Sequence, residues 1–306
     1  MSMGRRQDLF RKLQARTGVP VLVLGGGING VGLYRELALQ GVDCVLVDQA
    51  DFCAGATSKS SRMIHGGLRY LENREFKLVS EALIERNRLI ENAGHYVAPL
   101  KTTIPLSSWF GGLIRSGLIF AGLNVSPGER GVLPVKLGLM FYDFITRKNR
   151  RTPTHFLTSK AESLRRMPGL RRNIVATATY WDAWITQAER LCIELIQDAQ
   201  STNPNCLALN YVKPQGLADG AVLLEDRATG QTAAIRPKVL VNATGAWVDF
   251  TNATLGLRTR FMGGTKGSHL VVNNPALHRA LDGQMVYYQY RDGRVCIVLP
   301  FLDKVV

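Results

Sequence analysis

The chain has 306 residues, of which 46% are hydrophobic and 20% are charged, and this composition suits one large or two modest soluble domains with a substantial core. Its five cysteines are scattered without a C-x-x-C spacing, which argues against a disulfide framework or a zinc site and favours a reducing compartment. The formal net charge of +14 is typical of proteins that meet nucleic acid, anionic membranes or acidic substrates.

A glycine-rich turn near the N-terminus lies between a strand and a helix. The apolar residues 21–24 predict a buried parallel strand, and residues 31–39 predict the helix that follows. Between them, Gly25, Gly27 and Gly30 form a G-x-G-x-x-G pattern. In such a pattern the glycines permit a tight turn, a close approach of the backbone to a pyrophosphate, and close packing of helix on strand. Because the helix start also offers N–H groups to a phosphate, the sequence predicts a dinucleotide site.

A second strand supports this interpretation. Residues 44–47 (CVLV) predict a buried strand, and Asp48 directly follows it. An acidic residue about 20 positions beyond the glycines commonly binds a ribose hydroxyl in this fold. These residues alone fit NAD(P) as well as FAD.

A hydroxyl-rich segment comes next, with Thr57, Ser58, Ser60 and Ser61. These hydroxyl groups suit phosphate oxygens and ribitol hydroxyls, and they equally suit a cluster that caps a helix N-terminus.

The segment continues with three side chains that each have two interpretations. The imidazole of His65 can take a proton from a substrate alcohol, or it can bond a backbone carbonyl and do no chemistry. Arg69 can bind a phosphate through two parallel bonds, or it can form a surface ion pair. Tyr70 fits a core position as well as a site position.

The middle of the chain is apolar and basic. Residues 74–93 have apolar positions at helical spacing and predict an amphipathic helix. The stretch 104–125 is long and apolar, but Arg115 and several glycines interrupt it, so a membrane span is not expected. It forms either a shallow interfacial contact flanked by the basic run 147–151 or a buried hairpin. Residues 101–172 contain 13 Lys or Arg and three acidic residues.

The remaining sequence returns to strands after one more helix. The strand 238–245 ends in Ala243, Thr244 and Gly245, and we expect this second small-residue turn to lie near the same dinucleotide. The other predicted elements are an amphipathic helix at 184–200, short strands at 206–213, 221–226 and 232–236, and antiparallel strands within 268–306 with a turn at 292–293.

Four motifs together resemble the FAD-dependent glycerol-3-phosphate dehydrogenases, which are membrane-associated, quinone-linked members of the D-amino-acid-oxidase-like flavoprotein superfamily. The motif at residues 60–72 is the most specific of the four, since glycine turns such as the one at 25–32 occur in many unrelated proteins. The motifs are GGGINGVG (25–32), SSRMIHGGLRYLE (60–72), VNATGAWVD (241–249) and TKGSHLVV (265–272).

The resemblance implies FAD as the cofactor and assigns two sets of site residues, with no metal. The candidate catalytic residues are His65, Arg69, Tyr70, Lys266 and His269. The cofactor-binding residues are Gly25, Gly27, Ile28, Asn29, Gly30, Asp48, Thr57, Ser58, Ser60, Ser61, His65, Gly67, Ala243, Thr244 and Gly245.

The implied fold is α/β, with a Rossmann-like FAD-binding domain built on the GxGxxG βαβ unit and an inserted, mostly antiparallel β substrate domain. We expect the discontinuous FAD-binding domain to comprise residues 20–105 and 180–262. The substrate and membrane-facing domain would comprise residues 106–179 and 263–306, and residues 1–19 would form a basic N-terminal extension.

The implied activity is oxidation of sn-glycerol 3-phosphate to dihydroxyacetone phosphate by hydride transfer to flavin N5, with the electrons passed to quinone. The partners would be a small phosphorylated polyol, quinone, an anionic membrane surface contacted by residues 104–151, and a second copy in a homodimer. The location would be cytoplasmic, peripheral on the inner face of the cytoplasmic membrane.

Two other functions fit parts of the sequence. An enzyme of the same fold can act on an amino acid or another hydroxy acid, because fold does not determine substrate. A basic nucleic-acid-binding protein has only the charge as its support and lacks interleaved aromatic residues, so no nucleic-acid partner is expected.

Two features depart from the family. The helix near residue 186 is usually preceded by two acidic residues, where this chain has Thr186 and Gln187; this weakens the substrate assignment more than the fold assignment. Family members also continue beyond the position of Val306. We therefore expect the chain to be a fragment that lacks further basic substrate-binding residues, a late glycine-rich segment and a helical C-terminal domain.

Overall fold

The computed structural model describes residues 3–71, 75–112, 131–289 and 295–306. The chain divides into two compact units. The first unit comprises Met1–Ser60 and Gln187–Gly267, and the second comprises Ser61–Thr186 and Ser268–Val306.

The helices and strands of the described residues alternate along most of the chain. The α-helices are α1 Met3–Gln14, α2 Ile28–Leu39, α3 Ala56–Lys59, α4 Phe76–Asn92, α5 Val132–Thr146, α6 Lys160–Arg166, α7 Ala188–Thr202, α8 Val248–Thr254 and α9 Pro275–Leu281. The strands are β1 Gly18–Leu24, β2 Cys44–Val47, β3 Met63–Ile64, β4 Val97–Leu106, β5 Phe156–Ser159, β6 Ala176–Ile185, β7 Leu207–Leu209, β8 Val212–Ala218, β9 Ala221–Asp226, β10 Thr232–Asn242, β11 Met285–Gln289, β12 Val295–Val298, β13 Pro300–Phe301 and β14 Lys304–Val305. Two short 3-10 helices span Leu68–Leu71 and Gly245–Trp247. Among these described helices, none combines the length and the apolar character needed to cross a bilayer.

A six-stranded sheet with the order β7-β2-β1-β10-β9-β8 forms the centre of the first unit. Strand β1 pairs in parallel with both β2 and β10, and β2 pairs in parallel with β7. Strands β9 and β8 extend the sheet in antiparallel fashion beyond β10. The predicted strands at 21–24 and 44–47 are confirmed, and the β1-α2-β2 unit is the expected Rossmann-like start of an α/β fold.

Helices cover both faces of the parallel part of this sheet. On one face, Val31 and Tyr34 of α2 are buried together with Cys192 and Ile196 of α7. A parallel strand that is buried on both faces has an uninterrupted apolar sequence. This pattern allowed β1 and β2 to be predicted.

Helix α1 covers the other face, so the residues expected to form a basic extension at 1–19 include a helix of the first unit. Phe10 and Leu13 of α1 are almost fully buried against residues of the sheet. Arg6 donates a hydrogen bond from Nη2 to the Asp226 carboxylate at 2.7 Å. The sequence did not predict this packing, because α1 has few apolar residues and they alternate with basic ones.

The second unit contains a sheet with the order β12-β11-β4-β6-β3, in which β5 also pairs with β6. Strands β4 and β6 are antiparallel over their full lengths, from Val97 opposite Ile185 to Leu106 opposite Ala176. Strand β11 pairs in parallel with β4 and antiparallel with β12. The sheet is therefore mostly antiparallel, as expected.

Two helices pack on one face of this second sheet. Val79 and Leu83 of α4 and Leu139 of α5 share a core with Ala178 and Tyr180 of β6. Helix α4 is the amphipathic helix predicted at 74–93, and the helical spacing of its apolar residues matches the face that it buries.

The unit boundaries differ from the predicted ranges 20–105 with 180–262 and 106–179 with 263–306. The chain enters the second unit at Ser61 and leaves it at Thr186. The reason is strand pairing: β3 and β4, which precede residue 106, both pair with β6. These contacts bind residues 61–106 to the sheet of the second unit.

Four predicted elements differ from the observed ones. Strand β6 occupies 184–185, so the helix predicted at 184–200 begins at Ala188. The strand predicted at 206–213 is interrupted at Tyr211, whose φ of +55° ends the extended conformation of β7. Strand β10 is continuous where strands 232–236 and 238–245 were predicted.

The last predicted segment, 268–306, contains a helix as well as strands. Helix α9 starts after Asn274, whose side chain accepts a hydrogen bond from the N–H of Leu277, with Pro275 in the first turn. An Asn cap followed by proline is a helix start signal that the apolar-polar alternation of this segment obscured. The predicted turn at 292–293 lies outside the described residues.

We expect Leu13→Ala to destabilise the protein by about 2–5 kcal/mol, because a buried leucine side chain is replaced by a cavity. Leu13 is fully buried, whereas the neighbouring Lys12 is exposed. Lys12→Ala is therefore the matched control and should change the free energy of unfolding by less than about 0.5 kcal/mol. Urea unfolding curves measure both, and equal small effects would show that α1 is not part of the folded core.

Candidate functional site

The glycine turn after β1 is a close contact between three backbone segments. Gly25 has φ +106°, and a Cβ at this position would lie 2.5 Å from the carbonyl oxygen of Ala243. A Cβ on Gly30 would overlap the carbonyl oxygen of Gly25. These two glycines are therefore required by packing, in the roles predicted from the sequence.

Helix α2 begins at Ile28, earlier than the residue 31 predicted from its apolar face. Gly27 is extended, with φ −77° and ψ 178°, and directly precedes the helix. Ile28 and Asn29 are exposed, so one side of the first turn of the helix is open. Since the first turn has N–H groups without partners inside the helix, this surface can accept a phosphate group.

Thr57 lies beside this helix start. Its Oγ1 accepts a hydrogen bond from the N–H of Ile28 at 3.0 Å, so Thr57 caps α2 from outside the helix. Ser58 donates to the carbonyl oxygen of Gly55 at 3.2 Å. Thr57 thus has the capping contact that the hydroxyl-rich segment was expected to offer, and its cofactor contact stays a prediction. Ser60 ends the first segment of the first unit, and Ser61 begins the second unit.

Asp48 connects the end of β2 to the glycine turn. One carboxylate oxygen accepts from the N–H of Gly26 at 2.7 Å, and the other accepts from the N–H of Ala50 at 2.8 Å. Burial raises the pKa of Asp48, and the two N–H donors oppose this rise. The carboxylate shapes the turn and retains lone pairs that can accept from ribose hydroxyls.

The small-residue turn after β10 adjoins Gly25, as predicted. The N–H of Ala243 donates to the carbonyl oxygen of Leu24 at 2.8 Å. Asn242, which was not predicted as a site residue, accepts from the Thr244 hydroxyl at 2.6 Å and donates to the carbonyl oxygen of Val248 at 3.0 Å. Gly245 follows with φ +58° and is exposed. Asn242 therefore fixes the turn that carries the predicted cofactor contacts.

The second unit carries His65, Gly67, Arg69 and Tyr70 on a short segment after β3. His65 and Tyr70 are exposed, and their ring centroids are 6.3 Å apart. The N–H of Tyr70 donates to the carbonyl oxygen of Gly67 at 2.7 Å, and Gly67 has φ +71°. Arg69 lies in the 3-10 helix Leu68–Leu71, and its side chain is outside the described part of the structure.

A buried polar group that sequence reasoning missed holds this segment. Gly66 donates its N–H to the Tyr142 hydroxyl and to the Asp182 carboxylate, each at 3.0 Å. Arg86 is almost fully buried and lies 3.4 Å from the same carboxylate oxygen. The one signal in the sequence is an aspartate within an otherwise apolar and aromatic run, YWDAWI, because buried charges are paired.

Lys266 and His269 are exposed, in a stretch without helix or strand. The boundary between the units falls between them, after Gly267. The predicted catalytic residues are thus distributed over both units: His65, Arg69, Tyr70 and His269 belong to the second, and Lys266 belongs to the first.

A cavity of about 310 Å³ in the second unit contains none of the predicted site residues. Its lining is polar and combines residues of β4, β5 and β6 with residues of α6. The lining residues are Lys101, Thr103, Phe156, Thr158, Ser163, Arg166, Met167, Thr177, Thr179, Asp282 and Gln284.

The sequence matches one protein family over almost its whole length. Residues 20–305 match the family described as FAD dependent oxidoreductase. The glycine turn, the exposed residues at the start of α2 and the acceptor capacity of Asp48 fit the pyrophosphate and ribose of such a cofactor.

Curated relatives and a solved structure agree with this match. The chain is 32% identical to a glycerol-3-phosphate dehydrogenase of Synechocystis, covering 96% of this chain and 52% of the relative. It is 30% identical to a D-erythritol 1-phosphate dehydrogenase of Brucella abortus, covering 92% and 52%. The chain thus spans about half the length of the curated relatives it matches.

The solved structure is a glycerol-3-phosphate dehydrogenase from Bacillus halodurans complexed with FAD. It is 23% identical and has a TM-score of 0.66, covering 98% of this chain and 49% of that one. At this identity the similarity concerns the fold alone, and it supports the α/β architecture.

We expect Gly30→Ala to displace α2 from the glycine turn, destabilise the protein by about 1–3 kcal/mol and lower the amount of bound flavin. A methyl group at Gly32, two residues along the same helix, meets open space. Gly32→Ala should therefore keep the flavin and raise stability by up to about 1 kcal/mol, because alanine is the better helix former. Flavin absorbance after gel filtration and thermal unfolding measure the two effects; equal flavin retention in both variants would contradict the assigned role of Gly30.

Proposed function

The chain belongs to the family of FAD-dependent oxidoreductases, and we propose that it oxidises the secondary alcohol of sn-glycerol 3-phosphate to dihydroxyacetone phosphate. One observation carries this proposal: the sequence that follows the nucleotide-binding turn is similar, over most of the chain, to dehydrogenases named for phosphorylated polyols. The electrons would pass to a membrane quinone.

The chain's own residues have distinct parts in this proposal. FAD, when bound, supplies the hydride acceptor. The backbone of the glycine turn and the start of α2 would bind its pyrophosphate, and Asp48 would accept from its ribose. The proton of the substrate hydroxyl would go to a general base. An imidazole group suits this role, because free imidazole titrates near neutral pH. His65 is the first candidate, because its ring is exposed beside Tyr70.

The substrate phosphate requires a cation, and Arg69 is the residue proposed to bind it. A guanidinium group matches a phosphate through two parallel hydrogen bonds. The resemblance also assigns Lys266 and His269 to the reaction, and both side chains are exposed. An amino-acid substrate would instead place a carboxylate against these cations, so comparison of substrates separates the two possibilities.

We expect Arg69→Met to lower kcat/KM for sn-glycerol 3-phosphate by roughly 10- to 100-fold, since a hydrogen bond to a charged group contributes about 1.5–3 kcal/mol. Turnover of unphosphorylated glycerol should not change. Arg88→Met is the matched control, because Arg88 is exposed on α4 and pairs with Glu85 of the same helix. A dye-reduction assay with sn-glycerol 3-phosphate, D-erythritol 1-phosphate and an amino acid makes the measurement. Preference for the amino acid would reject the proposed substrate class.

We propose further that the protein lies on the inner face of the cytoplasmic membrane through α5. Leu137, Met140 and Phe144 share one face of this helix and are each more than half exposed. Large exposed apolar surfaces of this kind are unusual on soluble monomers. The guanidinium group of Arg147 lies 4.4 Å from the Phe144 ring centroid, and Lys136 is exposed on the same helix. Apolar and basic residues on one helix suit an interfacial position on an anionic bilayer.

Residues before α5 extend this surface. Trp109 and Phe110 are strongly exposed, and the carbonyl oxygen of Trp109 accepts from the N–H of Leu133 at 3.1 Å. These aromatic side chains are therefore adjacent to the start of α5, as is typical of membrane interfaces. Residues 113–130, the rest of the predicted interfacial stretch, lie outside the described residues.

We expect the double variant Leu137→Gln with Met140→Gln to bind anionic phospholipid vesicles at least tenfold more weakly, because burial of each such side chain contributes about 1.5–3 kcal/mol. Leu217→Gln is the control, since Leu217 is similarly exposed but lies on β8 of the first unit. Vesicle cosedimentation measures both. Equal binding of the double variant and the wild type would remove α5 from the membrane surface.

A further inference from the structure

We propose that Tyr142 and Asp182 are positioning residues for the reaction, acting through the N–H of Gly66 on the segment that carries His65, Arg69 and Tyr70. This proposal rests on the proposed function, because it takes that segment as part of the substrate site. The contacts that support it all lie within the second unit.

Gly66 is the buried point of an otherwise exposed segment. Its N–H donates to the Tyr142 hydroxyl and to Oδ1 of Asp182, each at 3.0 Å. A Cβ at this position would overlap the side chain of Leu83 and the hydroxyl of Tyr142. Only glycine brings the backbone N–H so close to these two acceptors, which explains why a glycine follows His65.

The two acceptors belong to a larger buried group. The Tyr142 hydroxyl donates to Oδ1 of Asp182, and Arg86 donates from Nη1 to the carbonyl oxygen of Trp181 at 2.9 Å. Arg86 also donates from Nη2 to the side chain of Asn87 at 2.9 Å, and Asn87 donates to the carbonyl oxygen of Asn149 at 2.6 Å. Helices α4 and α5 and strand β6 are thereby joined at one place.

This group is buried, and its members are joined by several hydrogen bonds, all to Oδ1 in the case of Asp182. Burial raises the pKa of Tyr142, and the Asp182 carboxylate raises it further, so the hydroxyl keeps its proton and remains a donor to Asp182. Hydrogen bonds are electrostatically stronger in such surroundings than in water. An anchor of this kind fixes the Gly66 backbone more firmly than contacts with apolar side chains would.

The anchor determines where the neighbouring side chains point. Gly67 follows with φ +71°, and its carbonyl oxygen accepts from the N–H of Tyr70. The chain therefore reverses immediately after Gly66, which leaves His65 and Tyr70 on the exposed side. Since catalysis is sensitive to displacements of about 1 Å, loss of the anchor should reduce turnover without abolishing folding.

A buried ion pair is weak evidence of a purely stabilising role. Replacing a buried ion pair by well-packed apolar residues is often neutral or stabilising. Positioning is a role that the pair of Arg86 and Asp182 can have besides stability, because Oδ1 of Asp182 also accepts from the N–H of Gly66.

The test uses the flavin-loaded protein and the variant Tyr142→Phe, which removes one acceptor of the Gly66 N–H and keeps the ring. The matched control is Tyr180→Phe, because Tyr180 is equally buried and packs edge-on against Tyr142 with ring centroids 5.7 Å apart. Its hydroxyl does not accept from Gly66 in the described residues.

Two readouts are required: amide hydrogen exchange of the peptide 62–71, and kcat with KM for sn-glycerol 3-phosphate. We expect Tyr142→Phe to increase exchange in this peptide and to lower kcat between about 10-fold and about 100-fold, with flavin absorbance and Tm close to wild type. Tyr180→Phe should leave both readouts near the wild-type values. Asp182→Asn, which keeps an acceptor of the same shape, should retain more protection than Asp182→Ala and provides the second variant pair.

Unchanged exchange in Tyr142→Phe, or increased exchange with unchanged kcat, would overturn the positioning role. If the wild-type protein has no activity with phosphorylated polyols, the proposed function fails and the exchange readout alone decides. Increased exchange confined to 62–71 would then still support positioning of the segment, and exchange that rises throughout the second unit would reject it.

Discussion

The parallel pairing of β1 with β10 is the constraint on which the nucleotide end of the first unit depends. It places Leu24 opposite Asn242, although a whole inserted unit separates them in sequence. The carbonyl oxygen of Ala243 then lies where only glycine fits at position 25, and the carbonyl oxygen of Gly25 excludes a side chain at position 30. The glycine motif is therefore a requirement of strand and helix packing before it is a requirement of any ligand.

A feature could be predicted where the local sequence determines it, and could not where residues distant in sequence determine it. Strands β1 and β2, helix α4 and the glycine roles follow from local patterns, which the fold preserves. Strand β6 could not be recognised, because Asp182 interrupts its apolar run and its partner Arg86 lies far away in sequence. The contact of Gly66 with Tyr142 could not be predicted either, because these two residues are also far apart in sequence. For Thr57, the residue type fits both helix capping and cofactor binding, and the sequence could not show that its hydroxyl lies beside the N–H of Ile28.

Helix α5 combines two roles on opposite faces. Its inner face contributes Leu139 and Tyr142 to the core of the second unit, and Tyr142 also reaches Gly66. Its outer face presents Leu137 and Met140, the residues proposed to contact lipid. A rotation or shift of this helix at a bilayer would therefore move the acceptor of the Gly66 N–H. The proposed membrane contact and the geometry of the segment after β3 would thus be linked through this one helix.

Strand β10 is synthesised long after its partner β1, and this order affects folding on the ribosome. Strand β1 emerges early, but its partner on one side is completed only with Asn242, after the inserted unit. Until then, the apolar edge of β1 is open, and open strand edges readily pair with other chains. Such long-range pairing is slow to form. During synthesis this edge of β1 therefore stays open until residue 242 is made, because β2 pairs with the opposite edge and α1 packs on a face of the sheet.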